Sequence, residues 1–163
     1  MRYRSYLEEL SYEIKDKKEK EAQRTLESLI KQREGIKPKQ NLNKPLFIYI
    51  AGPYTPYNSD PHSAARIAHE NTIKALNIGI DVADKGHIPY IPHLSHFIHL
   101  YGKKELPYEY YTKTDISWLE KCDAILFYDH KIGKSKGADK ELAFAIDTGK
   151  MIFFSINETP PYV

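Results

Sequence analysis

Residues 46–52, LFIYIAG, and residues 123–129, DAILFYD, decide the fold. Each is a short apolar run rich in aliphatic and aromatic side chains, and each gives way to a polar loop and then to a helical pattern. Short apolar runs alternating with helices are the signature of a parallel sheet built from strand-helix-strand crossovers. After the first run, Asp60-Pro61 supplies a helix N-cap followed by proline at the first helical position. Ala65, Ala68, Thr72, Ala75, Leu76, Gly79, Val82 and Ala83 then mark one face of a helix that stops at Gly86. HIPYIP at 87–92 reads as a short second strand, its prolines suited to an edge or a strand end. Residues 94–102 form a short helix or loop, 108–121 a helix, about 138–148 another, and MIFFSI at 151–156 the last strand.

Four or five strands with flanking helices make a small doubly wound, flavodoxin-like α/β sheet, with expected order 2-1-3-4. Ligands of such sheets bind beyond the carboxyl ends of the strands, at the switch point between the first and third. Function is therefore expected in the loop beginning IAGPYTPYNSD and in the segment DHKIGKSKGADKE.

Residues 1–44 differ from the rest. Glu, Lys, Arg and Gln dominate, with sparse apolar positions at Leu7, Leu10, Ile14, Ala22, Leu26, Leu29 and Ile30. This spacing predicts one or two amphipathic helices, either a docking arm or a layer over the chain's own domain, followed by a linker rich in turn formers. The expected organisation is an extension over 1–44 and a catalytic domain over 45–163.

With 163 residues the chain suits one such domain. No apolar run approaches the roughly 20 residues of a membrane-spanning helix, no secretory h-region opens the chain, and Cys122 is the only cysteine. A cytoplasmic protein without a membrane partner is expected. A net charge of +2 argues against a nucleic-acid polymer as partner but allows a small anion. Thirteen tyrosines point to packing and ring stacking.

Lys131, Lys134, Ser135 and Lys136 precede Gly137 at a helix start, where backbone N–H groups, the positive helix end and a hydroxyl suit a phosphate. A solvated charged loop is the plainer reading. The P-loop is excluded, because Tyr128 stands where its first glycine belongs. Glu141 follows one turn into this helix, at the border of the face marked by Ala138, Leu142, Ala145 and Ile146. A carboxylate there would be ionised by the helix dipole yet partly desolvated, as a nucleophile requires; it would equally suit an ordinary first-turn glutamate. Asp115 and Asp123 bracket the entry to the third strand. A pair of carboxyl groups facing one substrate is the minimal equipment for glycosidic cleavage.

IYIAGPY, DISWLEKCD and SKGADKELAFA together resemble the nucleoside 2-deoxyribosyltransferase superfamily, which includes nucleoside 5'-monophosphate N-glycosidases. IAGPYT and PHLSHF resemble an uncharacterised microbial and phage branch of it, and the likeness covers residues 46 to about 156. The resemblance implies Glu141 as nucleophile, Asp115 as the aspartate that contacts the sugar or assists departure of the base, and Tyr49 as the hydroxyl that orients the nucleophile. It implies that Gly52 lets backbone approach the substrate, with Pro53 standing where the monophosphate glycosidases have serine. Ser135, six positions before Glu141, is serine as in those glycosidases and not acidic as in the transferases, and a serine accepts a phosphate that a carboxylate would repel. Ser135 with the backbone of Gly137 and Ala138 is thus the expected phosphate site.

His87, His93, His96 and His99 invite a metal reading, but spacings of three turn the last three partly around a helix and not onto one face, no Cys or acidic cluster joins them, and no metal or other cofactor is expected. His93 or His96 is expected to line the base pocket, and Tyr54 and Tyr57 to stack on the base or pack in the turn. The implied activity is hydrolysis of a nucleoside or deoxynucleoside 5'-monophosphate, and the implied assembly a homodimer or larger homo-oligomer. In the transferases a C-terminal region completes a neighbour's site; this chain runs only to Val163, so hydrolysis is expected over transfer. The alternatives are a deoxyribosyltransferase, NAD glycohydrolase chemistry as in Toll/interleukin-receptor-like domains, and a catalytically silent nucleotide sensor.

Overall fold

From Leu42 onward, the described strands and α-helices follow in the order β1 (Phe47–Ala51), α1 (Pro61–Asp84), β2 (Ile88–Tyr90), α2 (Ser95–Tyr101), α3 (Tyr108–Lys121), β3 (Ala124–Phe127), α4 (Lys136–Asp147) and β4 (Met151–Phe153). The computed structural model describes residues 20, 24, 28, 42–54, 60–129 and 135–162. The strands form one parallel sheet in the order β2-β1-β3-β4, the α/β architecture and strand order expected from the sequence. Among the described residues the sheet has four strands, not five.

β1 and β3 are its central strands. Every residue of β1 after Phe47, and all of β3, is buried, as strands covered on both faces must be. Ile48, Ile50, Ala124 and Leu126 pack with Ala75 and Val82 of α1 in one apolar cluster. Side chains alternate across a strand, so Tyr49, between Ile48 and Ile50, points to the other face, where α3 and α4 lie. The period of two thus carries the only polar side chain of β1 toward α4.

The caps match their chemistry. Asp60 stands in extended backbone at the start of α1, and its carboxylate accepts from the amides of His62 and Ser63, both at 3.1 Å. Gly86 ends the helix with φ +84°, in the left-handed region that favours glycine, and a Cβ there would also meet the Tyr162 carbonyl at 2.2 Å. Ser135 caps α4, which therefore begins at Lys136, two residues before the expected start.

The chain divides into two compact units, Met1–Gln40 and Asn41–Val163. In the first, Lys20, Arg24 and Ser28 are helical and exposed; the other positions of the expected amphipathic helices lie outside the described residues. Among the described residues, no helix is long and apolar enough to cross a membrane.

Candidate active site

A cavity of 560 Å³ opens at the carboxyl end of the sheet, walled by residues of α1, α2, α3 and α4. Its size suits a small organic molecule. Glu141, Asp115, Ser135, Gly137, Ala138, His93 and Tyr54 all line it. Seven of the expected site residues, drawn from four separate stretches of sequence, therefore share one hollow.

Tyr49 is not among the lining residues; it lies behind the wall, where its hydroxyl donates to Oε1 of the lining residue Glu141 at 2.8 Å. Tyr49 is fully buried, and its ring is fixed from the far side by an aromatic ladder. Tyr90 lies 5.5 Å from it, and Trp118 stacks on Tyr90 at 4.9 Å. Burial, helped by the charges of Glu141 and Asp115, pushes the Tyr49 phenol far above its ordinary range, so it remains a donor. Burial also pushes Glu141 up to about 8; the bond from Tyr49 opposes the rise and the Asp115 charge adds to it. Asp115 itself is pushed up to about 6 by burial. Two carboxyl groups in one apolar hollow, each reluctant to ionise, are a pattern typical of acid-base and nucleophilic sites.

Asp123 takes no part in this pair. It lies at the amino end of β3, where its carboxylate accepts from Phe47 N at 2.9 Å and Lys44 Nζ at 3.1 Å. Partial burial works to raise its pKa, and these two donors outweigh it, leaving the group below the usual carboxylate range.

Gly52 and Pro53 are not among the residues that line the cavity. Packing by itself calls for glycine at 52: a Cβ there would fall 2.2 Å from Cζ of Tyr128, whose ring covers the glycine. Pro53 instead offers its carbonyl to His93 Nε2 at 3.1 Å. The expected phosphate site is also modified. The Ala138 amide already donates to Ser135 Oγ, at 3.4 Å, a long bond that a charged acceptor could displace. Lys131 and Lys134, expected beside it, lie outside the described residues, as does Tyr57. Lys140 lines the cavity and was not anticipated.

The histidines separate by role. His87 accepts from Leu46 N on Nδ1 and donates from Nε2 to the Pro160 carbonyl at 2.7 Å, tying the chain's last turn to the amino end of β1. His93 and His96 are buried and line the cavity, as expected. His96 pairs with Tyr54, Nδ1 to hydroxyl, at 2.7 Å, and its other nitrogen lies 3.4 Å from Nδ1 of His69. His69 was missed from sequence, because it meets His96 across the α1–α2 contact and not through any spacing along the chain.

The fold and these contacts define a class: a parallel α/β protein with a tyrosine-held glutamate and a second carboxyl group in the cleft at the sheet's carboxyl end. The chain belongs to the family described as a domain of unknown function, DUF7768, whose model matches residues 46–155 and so spans the whole sheet and its cavity. No curated protein and no solved structure matches the chain.

Proposed function

We propose that the chain hydrolyses the N-glycosidic bond of a nucleoside or deoxynucleoside 5'-monophosphate, releasing free base and sugar 5-phosphate. The observation that carries this reading is the 2.8 Å bond from Tyr49 to Glu141, a glutamate that lines one cavity together with Asp115. Glu141, once ionised, attacks C1' and forms a glycosyl ester; the electrons of the C1'–N bond go to the base, which takes up a proton. Water then adds to C1', giving a proton to Asp115, and the ester C–O bond breaks to return the Glu141 carboxylate. Asp115 also positions the sugar. The Tyr49 hydroxyl leaves Glu141 one oxygen free to attack and favours its charged form.

Ser135, Gly137 and Lys140 line the same cavity within two turns of α4, and they supply a hydroxyl, a helix start and a cation for the 5'-phosphate. The likeness of IYIAGPY, DISWLEKCD and SKGADKELAFA to the nucleoside 2-deoxyribosyltransferase superfamily supports the same chemistry. The reaction needs only side chains and water. We place the protein in the cytoplasm as a homo-oligomer, its single cysteine buried.

Incubation of the protein with ribo- and deoxyribonucleoside 5'-monophosphates and with the free nucleosides, followed by chromatography of free base, tests the proposal. Base release from monophosphates in preference to nucleosides is expected. Base exchange outrunning hydrolysis when a second base is added would make it a transferase, and nucleotide-dependent thermal stabilisation with no product would make it a sensor.

A further inference from the structure

The wall of the cavity built from α1, α2 and the loop after β1 holds polar groups that the scheme above leaves unused. Tyr54, His96 and His69 form a continuous chain, with contacts of 2.7 Å and 3.4 Å, from the cavity to the exposed surface of α1. Beside it, the Nδ1 of buried His93 and the hydroxyl of Tyr111, both on residues that line the cavity, are shielded from solvent and have no partner among the described residues. Buried polar atoms without partners are rare in folded proteins, and a polar ligand in the cavity would give these one.

The layout and these unpartnered atoms together favour one part of a nucleotide here. If the phosphate lies at Ser135 and Gly137, and C1' at Glu141, both anchors belong to α4. The base must then extend away from α4, toward walls that other elements supply. A purine or pyrimidine leaving as an anion is a poor leaving group, so its departure requires an acid on that side.

We propose that Tyr54 is this acid, and that His96 and His69 resupply its proton from solvent; the assignment rests on the N-glycosidase reading and leaves Asp115 to the sugar and the water. As the C1'–N bond breaks, its electron pair goes to the base and the Tyr54 O–H proton is transferred to a base nitrogen. His96 Nδ1–H returns a proton to the Tyr54 oxygen, His96 Nε2 takes one from His69 Nδ1–H, and His69, which is exposed, takes one from water on its other nitrogen; both imidazoles are then the opposite tautomers and reset by proton exchange with water once the base has left. Burial lowers His96, with the charges of His69 and His99 adding to the effect, and burial with Tyr111 raises Tyr54; both shifts favour the neutral forms.

The test compares substrates that need a leaving-group proton with one that does not. Tyr54→Phe and His96→Gln are assayed on AMP and dAMP, and on 7-methylguanosine 5'-monophosphate, whose base is already cationic and leaves neutral. Tyr54→Phe should lower kcat on the unalkylated nucleotides about 100-fold, with His96→Gln lowering it less, and both should leave the 7-methylguanosine nucleotide within about threefold of wild type. Thermal unfolding of each variant checks the fold, and His96→Gln carries the comparison if Tyr54→Phe does not fold. Equal losses on both kinds of substrate would overturn the relay while leaving the glycosidase reading intact. Wild-type cleavage of the alkylated nucleotide alone would overturn it too. Absence of base release from every nucleotide would remove the reading on which it rests.

Discussion

The two ends of one sheet treat the same chemical group in opposite ways. At the amino end, Asp123 is bound by a backbone amide and a lysine and held below the usual carboxylate range. At the carboxyl end, burial pushes Asp115 up to about 6 and Glu141 up to about 8. In the first case the fold stabilises the charge and gains from it; in the second it tolerates a destabilised charge whose value lies in reactivity. The difference shows that carboxylates near a sheet must be sorted by which strand end they occupy before they are given roles.

Exchanging the Glu141 carboxyl for an amide should have the largest effect at the carboxyl end. Glu141→Gln should lower base release at least about 1,000-fold, since no other oxygen is held by Tyr49 to form the ester. The same variant should gain stability. A carboxyl whose folded pKa lies near 8, against 4.5 unfolded, favours the folded state below pH 4.5, and that contribution is lost as pH rises through 8. Glu141→Gln should therefore melt above wild type at pH 9, by an amount on the order of 2 kcal/mol once water entry is allowed for, with the gap closing toward pH 4. A variant that melts lower than wild type at pH 9 would show that the charge is not destabilised in the fold.

Removing the Tyr49 hydroxyl should weaken the reaction without abolishing it. The attacking form of Glu141 is ionised, so kcat/KM should climb with pH and level off above about 8. Tyr49 lowers that value by its hydrogen bond, so Tyr49→Phe should move the climb to higher pH and reduce kcat/KM about 10- to 100-fold at pH 7. Recovery toward wild type at pH 10 separates loss of the bond from loss of the fold. An unshifted profile would show that Tyr49 does not tune Glu141.

The sheet, its strand order and the helices on either side were legible in the sequence because apolar periodicity and capping residues are local signals. LFIYIAG and DAILFYD read as the first and third strands of a 2-1-3-4 sheet, and Asp60-Pro61 and Gly86 bounded α1. Gathering Glu141, Asp115 and Tyr49 needed the resemblance, since nothing local says that an alternate position of β1 faces the second turn of a helix 92 residues on. Three things were beyond the sequence. Gly52 is explained by the ring of Tyr128, which comes from the neighbouring strand's end. Asp123 resembles Asp115 in the primary chain, and only the direction of β3 assigns it to the far end of the sheet. His69 and His96 are 27 residues apart, and their meeting depends on how α1 and α2 pack.

The smallest effect is expected at Asp123, and it tests the other half of the comparison. Asp123→Asn keeps the shape but weakens the acceptor for Phe47 N and removes the charge that faces Lys44. The folded pKa of Asp123 is depressed, so its contribution is present above the unfolded value near 3.8 and fades as pH falls through the lower folded value. The variant should lose about 1 kcal/mol at pH 7, read from denaturant melts, and should approach wild type below pH 3. Because Lys44 is largely exposed, 0.5 M salt should remove part of the difference by screening and leave the part due to the Phe47 amide. Base release at pH 7 should stay within about twofold of wild type, since a change confined to the amino end of the strands alters neither the cavity nor the Tyr49–Glu141 bond. A large loss of activity from this substitution would mean that the two ends of the sheet are coupled through β1, and the division of labour between their carboxylates would not hold.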